Sequence, residues 1–193
     1  MVKLSRYRGR DDFVDPFCGS GTIPIEAALI ALNRAPGLNR SFSAMQCRIW
    51  DRAIWTRAAE EARDGEFHGS YSILGSDIDP KAIAIAKANA ERAGVQDVVR
   101  FEIADAAKFA RTTERGVIVT NPPYGERMME KEEAEALYRA FGAAWRASEN
   151  WQLYLLSSHT EFERCFGKPA DKKRKLYNGM IKCDLFMYYV NDN

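Results

Sequence analysis

The chain has 193 residues, 46% of them hydrophobic and 28% charged, which suits one domain with a full apolar core. A net charge of +1 excludes a global basic field of the kind that gathers nucleic acid over a whole surface. No apolar run is long enough to cross a bilayer. Cys18, Cys47, Cys165 and Cys183 form no CxxC pair, and His68 and His159 are far apart. That pattern argues against a zinc site and a disulfide framework, and for reduced thiols in the cytoplasm. Charge is uneven locally: Lys3, Arg6, Arg8 and Arg10 cluster at the start, and Lys172-Lys173-Arg174-Lys175 form a run. The plain reading of both is solvated surface.

The opening "VKLSRY" resembles the end of a helix, so a preceding segment is expected. Phe13 to Phe17 reads as the first strand, followed by a helix over Thr22 to Leu32 with Pro24 in its first turn, where proline is tolerated. Gly37 to Ser70 is too long for a simple loop. Trp50, Trp55 and the Ala-rich "AIWTRAAEEA" predict one helix there, packed on the domain. Tyr71 to Asp77 is a second strand, and Pro80 to Ala93 a helix opened by proline and closed by Gly94. Val98 to Ile103 and Gly116 to Thr120 are further strands. A helix over about Glu132 to Ser148 leads to a buried strand at Leu153 to Ser157. Asn178-Gly179, between strand-like flanks, predicts a terminal hairpin. The alternation implies a mostly parallel sheet ending in an antiparallel pair, an α/β Rossmann-like fold.

"DPFCGSGT", Asp15 to Thr22, joins the first strand to the first long helix. Gly19 and Gly21 allow a tight turn and a close approach to a ligand, and the helix start offers free N–H groups. The third glycine of a dinucleotide fingerprint is replaced by Pro24, and no P-loop lysine follows. Asp15 would repel a pyrophosphate but suits a ligand bearing an ammonium and a sulfonium, such as S-adenosylmethionine (SAM). Asp77 ends the second strand, placed to accept from ribose hydroxyls. Asp79 reads as the N-cap of the helix beginning at Pro80. Asp105, after the third strand, suits an adenine amino group or simply a turn.

The stretch "TNPPYG" ends the fourth strand. Two prolines fix two φ angles and push Asn121 away from the helical region, making a stiff corner where ligands sit in α/β sheets. An exocyclic amine on a nucleobase is a poor nucleophile because its lone pair is delocalised. The Asn121 and Pro122 carbonyls can hold its two hydrogens and stabilise the positive charge that develops in methyl transfer. Tyr124 can stack on the flat base. Such chemistry requires no metal and no strong base.

"FVDPFCGSGTIPIEAA", "GSDIDPKAIAIAKANAERAGV", "TNPPYGERM" and "RKLYNGMIKCDLFMYY" together resemble the THUMP-associated RNA guanine-N2 methyltransferases, above all those acting on large-subunit ribosomal RNA. The resemblance covers nearly the whole chain. It implies a class I methyltransferase catalytic domain over residues 1–193 with a helical insertion at about 37–70. SAM would be the donor and RNA the partner. It places Asp15, Gly19 and Gly21 around the methionine part, with Cys18 and Thr22 in the same loop. Asp77 and Ile78 fall at the ribose side, Asp105 and Ala106 at the adenine. Asn121, Pro122, Pro123 and Tyr124 fall at the target amine, with Asn121 also bordering the cofactor. Family members carry an RNA-binding THUMP domain ahead of the catalytic one, and nothing in this sequence matches it.

An adenine-N6 methyltransferase needs the same corner, and a protein glutamine amide presents the same planar nitrogen. A nicotinamide-dependent oxidoreductase is disfavoured by the missing glycine, and a non-catalytic RNA-binding scaffold by the intact Asn121. Ser157, Ser158 and His159 suggest a catalytic triad, but without a carboxylate at a supporting spacing His159 reads as a loop residue. Cys18 reads as a small packing residue, and Tyr138, Phe141 and Trp145, at helical spacing, as core.

Overall fold

The computed structural model describes all residues except Arg48, Trp50, Thr112, Glu126, Arg127, 148–150 and 191–193. In chain order the elements are α1 (Val2–Ser5), β1 (Asp12–Asp15), α2 (Thr22–Ala31), α3 (Arg52–Asp64), β2 (Ile73–Asp77), α4 (Pro80–Ala93), β3 (Val99–Ile103), β4 (Gly116–Thr120), α5 (Met128–Arg146), β5 (Trp151–Ser157), α6 (Phe162–Phe166), β6 (Lys172–Asn178) and β7 (Ile181–Tyr188). The strands form one seven-stranded sheet in the order β3-β2-β1-β4-β5-β7-β6. β1 to β5 run parallel, while β7 pairs antiparallel with both β5 and β6. The expected α/β Rossmann-like architecture with its closing hairpin is what the chain forms.

β4 lies in the middle and is buried at every residue. Its period-2 alternation feeds two cores, Val117 and Val119 into one and Ile118 into the other. The first core lies under α2 and α4 and is mainly aliphatic, with Ala27, Ala28, Ala86 and Ala90 of the two helices fully covered. The second, under α5 and α6, is aromatic. Phe141 and Trp145 of α5 meet Phe166 and Tyr188 at ring separations of 5.1–6.1 Å. Tyr138, Phe141 and Trp145 are thus core, as their spacing predicts. Truncating Phe141, which is fully buried, to alanine should cost about 3–5 kcal/mol.

Several boundaries differ from the sequence reading for local reasons. The first strand stops at Asp15 instead of Phe17, because the Asp15 carboxylate accepts the Phe17 N–H at 3.1 Å and turns the chain. The helix expected from Glu132 begins at Met128, and Ser148, its expected end, lies outside the described residues. The five-residue α6 follows β5 without a sequence signal strong enough to announce it. In the insertion, α3 forms over the Ala-rich stretch, but it buries no residue. Packing of that helix is therefore looser than expected. The segment is tied down near its ends, by Asn33 Nδ2 donating to the Gly65 carbonyl at 2.9 Å and by the Arg34–Glu66 ion pair at 2.7 Å. Trp50 lies outside the described residues.

The hairpin turn falls one residue later than Asn178-Gly179 suggests. Asn178 still pairs with Ile181, and Gly179 with φ +60° occupies the first central position. This leaves the Asn178 side chain free for another task.

Candidate active site

The carboxyl ends of β1, β2, β3 and β4 lie side by side and deliver Asp15, Asp77, Asp105 and Asn121 to one edge of the sheet. A ligand placed at that edge meets the topological switch between β1 and β4.

Asp15 is 1% exposed, and its Oδ1 accepts from Thr120 Oγ1 at 2.6 Å and from the Phe17 N–H at 3.1 Å. Burial raises its pKa to about 7; the two hydrogen bonds oppose that shift and Asp77 adds to it. A cationic group arriving here would compensate a carboxylate that the protein alone leaves under-solvated. Cys18 is buried beside it, its thiol pushed up to about 12 by burial and then by Asp15 and Asp77, so it is a packing residue and no nucleophile at neutral pH.

The glycine turn hangs on β2. The Cys18 N–H donates to the Ser76 carbonyl at 2.9 Å, the Gly19 N–H to Asp77 Oδ2 at 3.0 Å, and Asn89 Nδ2 of α4 to the Ser20 carbonyl at 2.8 Å. The two glycines have different reasons to be there. Gly19 has φ +50°, and a Cβ on it would meet nothing within 4 Å, so it faces open space. Gly21 has φ +83°, but a Cβ there would come within 2.9 Å of Ala86 and Phe101. Packing of α2 against α4 and β3 demands that glycine, quite apart from a ligand. Gly21 is the N-cap of α2 and supplies no side-chain cap, which leaves the helix start with unpaired N–H groups near Thr22. The Thr22 hydroxyl lies 3.3 Å from that of Ser20.

Asp77 binds two backbone donors, Gly19 through Oδ2 and Asp79 through Oδ1, both at 3.0 Å. Each oxygen keeps one further lone pair for a hydroxyl. Asp79 caps α4 as expected, accepting from Lys81 at 2.8 Å. Asp105 caps a short 3₁₀ turn over Ala106–Lys108, its Oδ1 accepting from Ala107 at 2.9 Å, and Ala106 is buried beneath it. Ile78 is 70% exposed and Ile103, the register partner of Asp77, is 60% exposed. Two apolar side chains thus stand in solvent beside the acidic strand ends. Ile103 escapes notice in the sequence, where it reads as an ordinary strand residue.

The corner after β4 is held from several sides. The Tyr124 hydroxyl donates to Asn121 Oδ1 at 2.5 Å and accepts from Asn178 Nδ2 of the hairpin at 3.2 Å. The Tyr138 hydroxyl of α5 donates to the Pro123 carbonyl at 2.7 Å and lies 3.2 Å from Ser157 Oγ. Pro122 is buried. Burial pushes the Tyr138 phenol up to about 12 and raises that of Tyr124 as well, where the Cys183 thiol adds to the effect. Both are neutral hydrogen-bonding groups at physiological pH. Tyr124 therefore does more than offer a ring, since its hydroxyl closes a short loop onto Asn121 and fixes the amide. Thr120, Tyr138 and Asn178 are contributors that sequence reasoning missed. Each is identified only by its partner across the fold.

Ser157, Ser158 and His159 do not assemble a triad. Ser157 Oγ takes the His159 backbone N–H at 3.1 Å, and the buried imidazole accepts from the Glu161 N–H through Nδ1 at 3.2 Å. His159 Nε2 stands 3.5 Å from Glu135, and burial lowers its pKa. Among the described residues no group of three or more His, Cys, Asp or Glu side chains is arranged to hold a metal ion, and no helix is long and apolar enough to cross a membrane.

Comparison with known proteins gives this edge a context. Residues 1–186 match the family described as RMKL-like, methyltransferase domain. The chain is 43% identical over 190 residues to YpsC of Bacillus subtilis, named a "putative RNA methyltransferase", covering 98% of this chain and 49% of that protein. It is 40% identical over 199 residues to the ribosomal RNA large subunit methyltransferase K/L of Shewanella baltica, covering 100% of this chain and 28% of that one. The chain thus spans half or less of the length of these curated relatives. Among solved structures, SMU.472, described as a "putative methyltransferase complexed with SAH", superposes with a TM-score of 0.95 at 39% identity, over 100% of this chain and 51% of that one. A "predicted N6-adenine-specific DNA methylase" of Listeria monocytogenes superposes with a TM-score of 0.91 at 43% identity, over 98% and 49%.

Proposed function

The chain belongs to the family of RMKL-like methyltransferase domains, and from that premise we propose that it transfers a methyl group from SAM to the exocyclic N2 amine of a guanine in RNA, the RNA being ribosomal and of the large subunit. The observation that carries the reading is the Asn121–Tyr124 corner, held rigid at the end of β4 beside the glycine turn and acidic ends of β1 to β3. The relatives named for RNA methylation support the substrate class.

The residues at the edge fit the donor. Asp15 would receive its ammonium, the free N–H groups at the start of α2 its carboxylate, and the second lone pairs of Asp77 its ribose hydroxyls. Ile78 and Ile103 offer apolar cover for the adenine, with Asp105 and Ala106 at its edge. Open space in front of Gly19 is consistent with a ligand lying against that loop. Bound there, SAM supplies an electrophilic methyl group on sulfur.

The protein's own task is to present the amine. Asn121 Oδ1 keeps one lone pair beyond the Tyr124 bond, and with the Pro122 carbonyl it can accept both amine hydrogens and draw the nitrogen toward tetrahedral geometry. These acceptors bind the developing positive charge better than the neutral amine, which lowers the barrier. Alignment of amine and methyl group supplies up to ~7–11 kcal/mol. The base must leave its stack to reach the corner, and the Tyr124 ring can then cover it.

An adenine-N6 amine would be held by the same two carbonyls, and the description of the Listeria relative keeps that reading in view. Methyl-labelled SAM with deproteinised, unmodified ribosomal RNA, followed by nucleoside digestion and chromatography, separates the two. Label in N2-methylguanosine is expected. Label in N6-methyladenosine would overturn the guanine assignment.

A further inference from the structure

The two basic runs of the sequence, far apart in the chain, meet in the fold. Lys3, Arg6, Arg8 and Arg10 line one groove of about 670 Å³ together with Lys172 and Arg174 of β6, and Asp11 is the one acidic residue in its lining. Among the described residues none of these six cations is ion-paired. Their neighbour Lys173 points to the other face of β6, where Glu163 takes it at 2.7 Å. In a chain with a net charge of only +1, six unpaired cations around one groove are a concentrated field.

β6 then leads from that groove to the target corner. Its far end is the hairpin tip, where Tyr177 is 71% exposed, Met180 is 98% exposed, and Asn178 is bonded to the Tyr124 hydroxyl. A large aromatic and a thioether standing mostly in solvent, one residue either side of Asn178-Gly179, are unexplained by folding. Tyr177 lies on the Lys173 face of β6, so a strand running from the groove meets it only by passing over the sheet edge at the tip. Lysines on an edge strand can serve simply to block sheet-to-sheet pairing. That role accounts neither for the exposed apolar tip nor for the convergence with the N-terminal arginines.

We propose that the β6–β7 hairpin and the groove at its base form the track for the single-stranded RNA segment that flanks the target nucleotide, with Tyr177 and Met180 packing on the bases next to it and the groove cations taking the phosphates. This rests on the RNA reading above and extends it to residues outside the donor and amine sites. Exposed aromatics stack on unpaired bases irrespective of sequence, and a basic groove follows the backbone. The Asn178–Tyr124 bond lets a strand seated on the tip brace the corner that holds the amine.

The test compares the chain with a tip variant, Tyr177→Ser with Met180→Ser, and a groove variant, Arg6→Gln with Arg8→Gln and Arg174→Gln. Affinity for S-adenosylhomocysteine (SAH) serves as the fold control and should not change, because the substituted side chains lie away from the donor site. Binding of a fluorescent single-stranded RNA is followed against salt, and methyl transfer to unmodified ribosomal RNA in a single turnover. The tip variant should lose about 5- to 150-fold in transfer, the range expected for one lost base stack. The groove variant should make the negative slope of log K against log salt shallower by about 2, at roughly 0.7 per charge removed. Wild-type transfer and wild-type slope in the two variants would overturn the track while leaving the RNA reading intact. An unmutated chain that binds SAH yet neither binds nor methylates any RNA would overturn both.

Discussion

Asp15, Asp77 and Asp105 each accept the N–H of the residue two further on, whereas Pro123 and Tyr124 are held by Tyr138 and Asn178, which lie 15 and 54 residues away. The aspartate turns of the donor half are therefore closed locally, and only the glycine loop between them is hung on distant residues, Ser76, Asp77 and Asn89. The amine half depends on how α5 and the hairpin pack. One buried hydrogen bond, Thr120 Oγ1 to Asp15 Oδ1 at 2.6 Å, spans the two. The arrangement teaches that donor binding and amine activation should be separable by mutation, with Asp15 and Thr120 as the place where they touch.

The largest effect that would sharpen this division is at the corner. Asn121→Ala removes one of two acceptors for the amine, and turnover should fall about 10²–10³-fold, as when one preorganised polar partner is lost elsewhere. Steady-state transfer with saturating SAM checks it, and turnover close to that of the unmutated chain would remove Asn121 from the chemistry.

Asp15→Asn should act in two opposite directions. The folded-state pKa of Asp15 is raised, so the stability linked to its proton is complete below the ordinary carboxylate pKa and is lost as pH rises through about 7. The asparagine variant keeps an acceptor for Thr120 and Phe17 without that penalty. Unliganded, it should melt higher than the parent at about pH 8, and the advantage should shrink as pH falls below about 7 and be lost only below the ordinary carboxylate pKa, toward about pH 3. SAM affinity should fall about tenfold or more with the lost partner of the ammonium. In the parent, affinity should rise with pH between about 6 and about 8, because an ammonium beside Asp15 favours its charged form. Thermal melts and calorimetry across that range measure both effects. A parent melting profile parallel to that of the variant would show that Asp15 does not titrate there.

Tyr124→Phe should have the smallest effect. It keeps the ring and gives up the bonds to Asn121 and Asn178, so turnover should drop only a few-fold, about what one or two neutral hydrogen bonds contribute. A loss as large as that of Asn121→Ala would mean that the hydroxyl, and not the ring, is what the corner needs.

The same contrast decides what the sequence makes legible. An aspartate at a strand end followed by its own turn is local information, so "DPFCGSGT", "GSDIDP" and the cap at Asp79 can be read residue by residue. The α/β alternation and the position of the NPPY corner are legible for the same reason. Thr120, Asn178 and Tyr138 are not, because nothing near them in the chain names their partners Asp15, Tyr124 and Pro123. Gly21 is half legible: a positive φ is foreseeable, whereas the close contact with Ala86 and Phe101 needs the packed sheet. The insertion is the weakest reading, since its tryptophans and Ala-rich stretch predict a packed helix and α3 buries none of its residues.

The division of labour is tested most directly by calorimetric titration of SAH into Asp77→Asn and Asn121→Ala beside the parent chain. Asp77→Asn loses a charged acceptor that holds the Gly19 turn, and SAH affinity should fall at least about tenfold. Asn121→Ala should bind SAH within about twofold of the parent, since the bonds that hold the aspartate turns and the glycine loop do not run through Asn121. Equal losses in the two variants would contradict the account, because the corner would then belong to the donor site as much as to the amine.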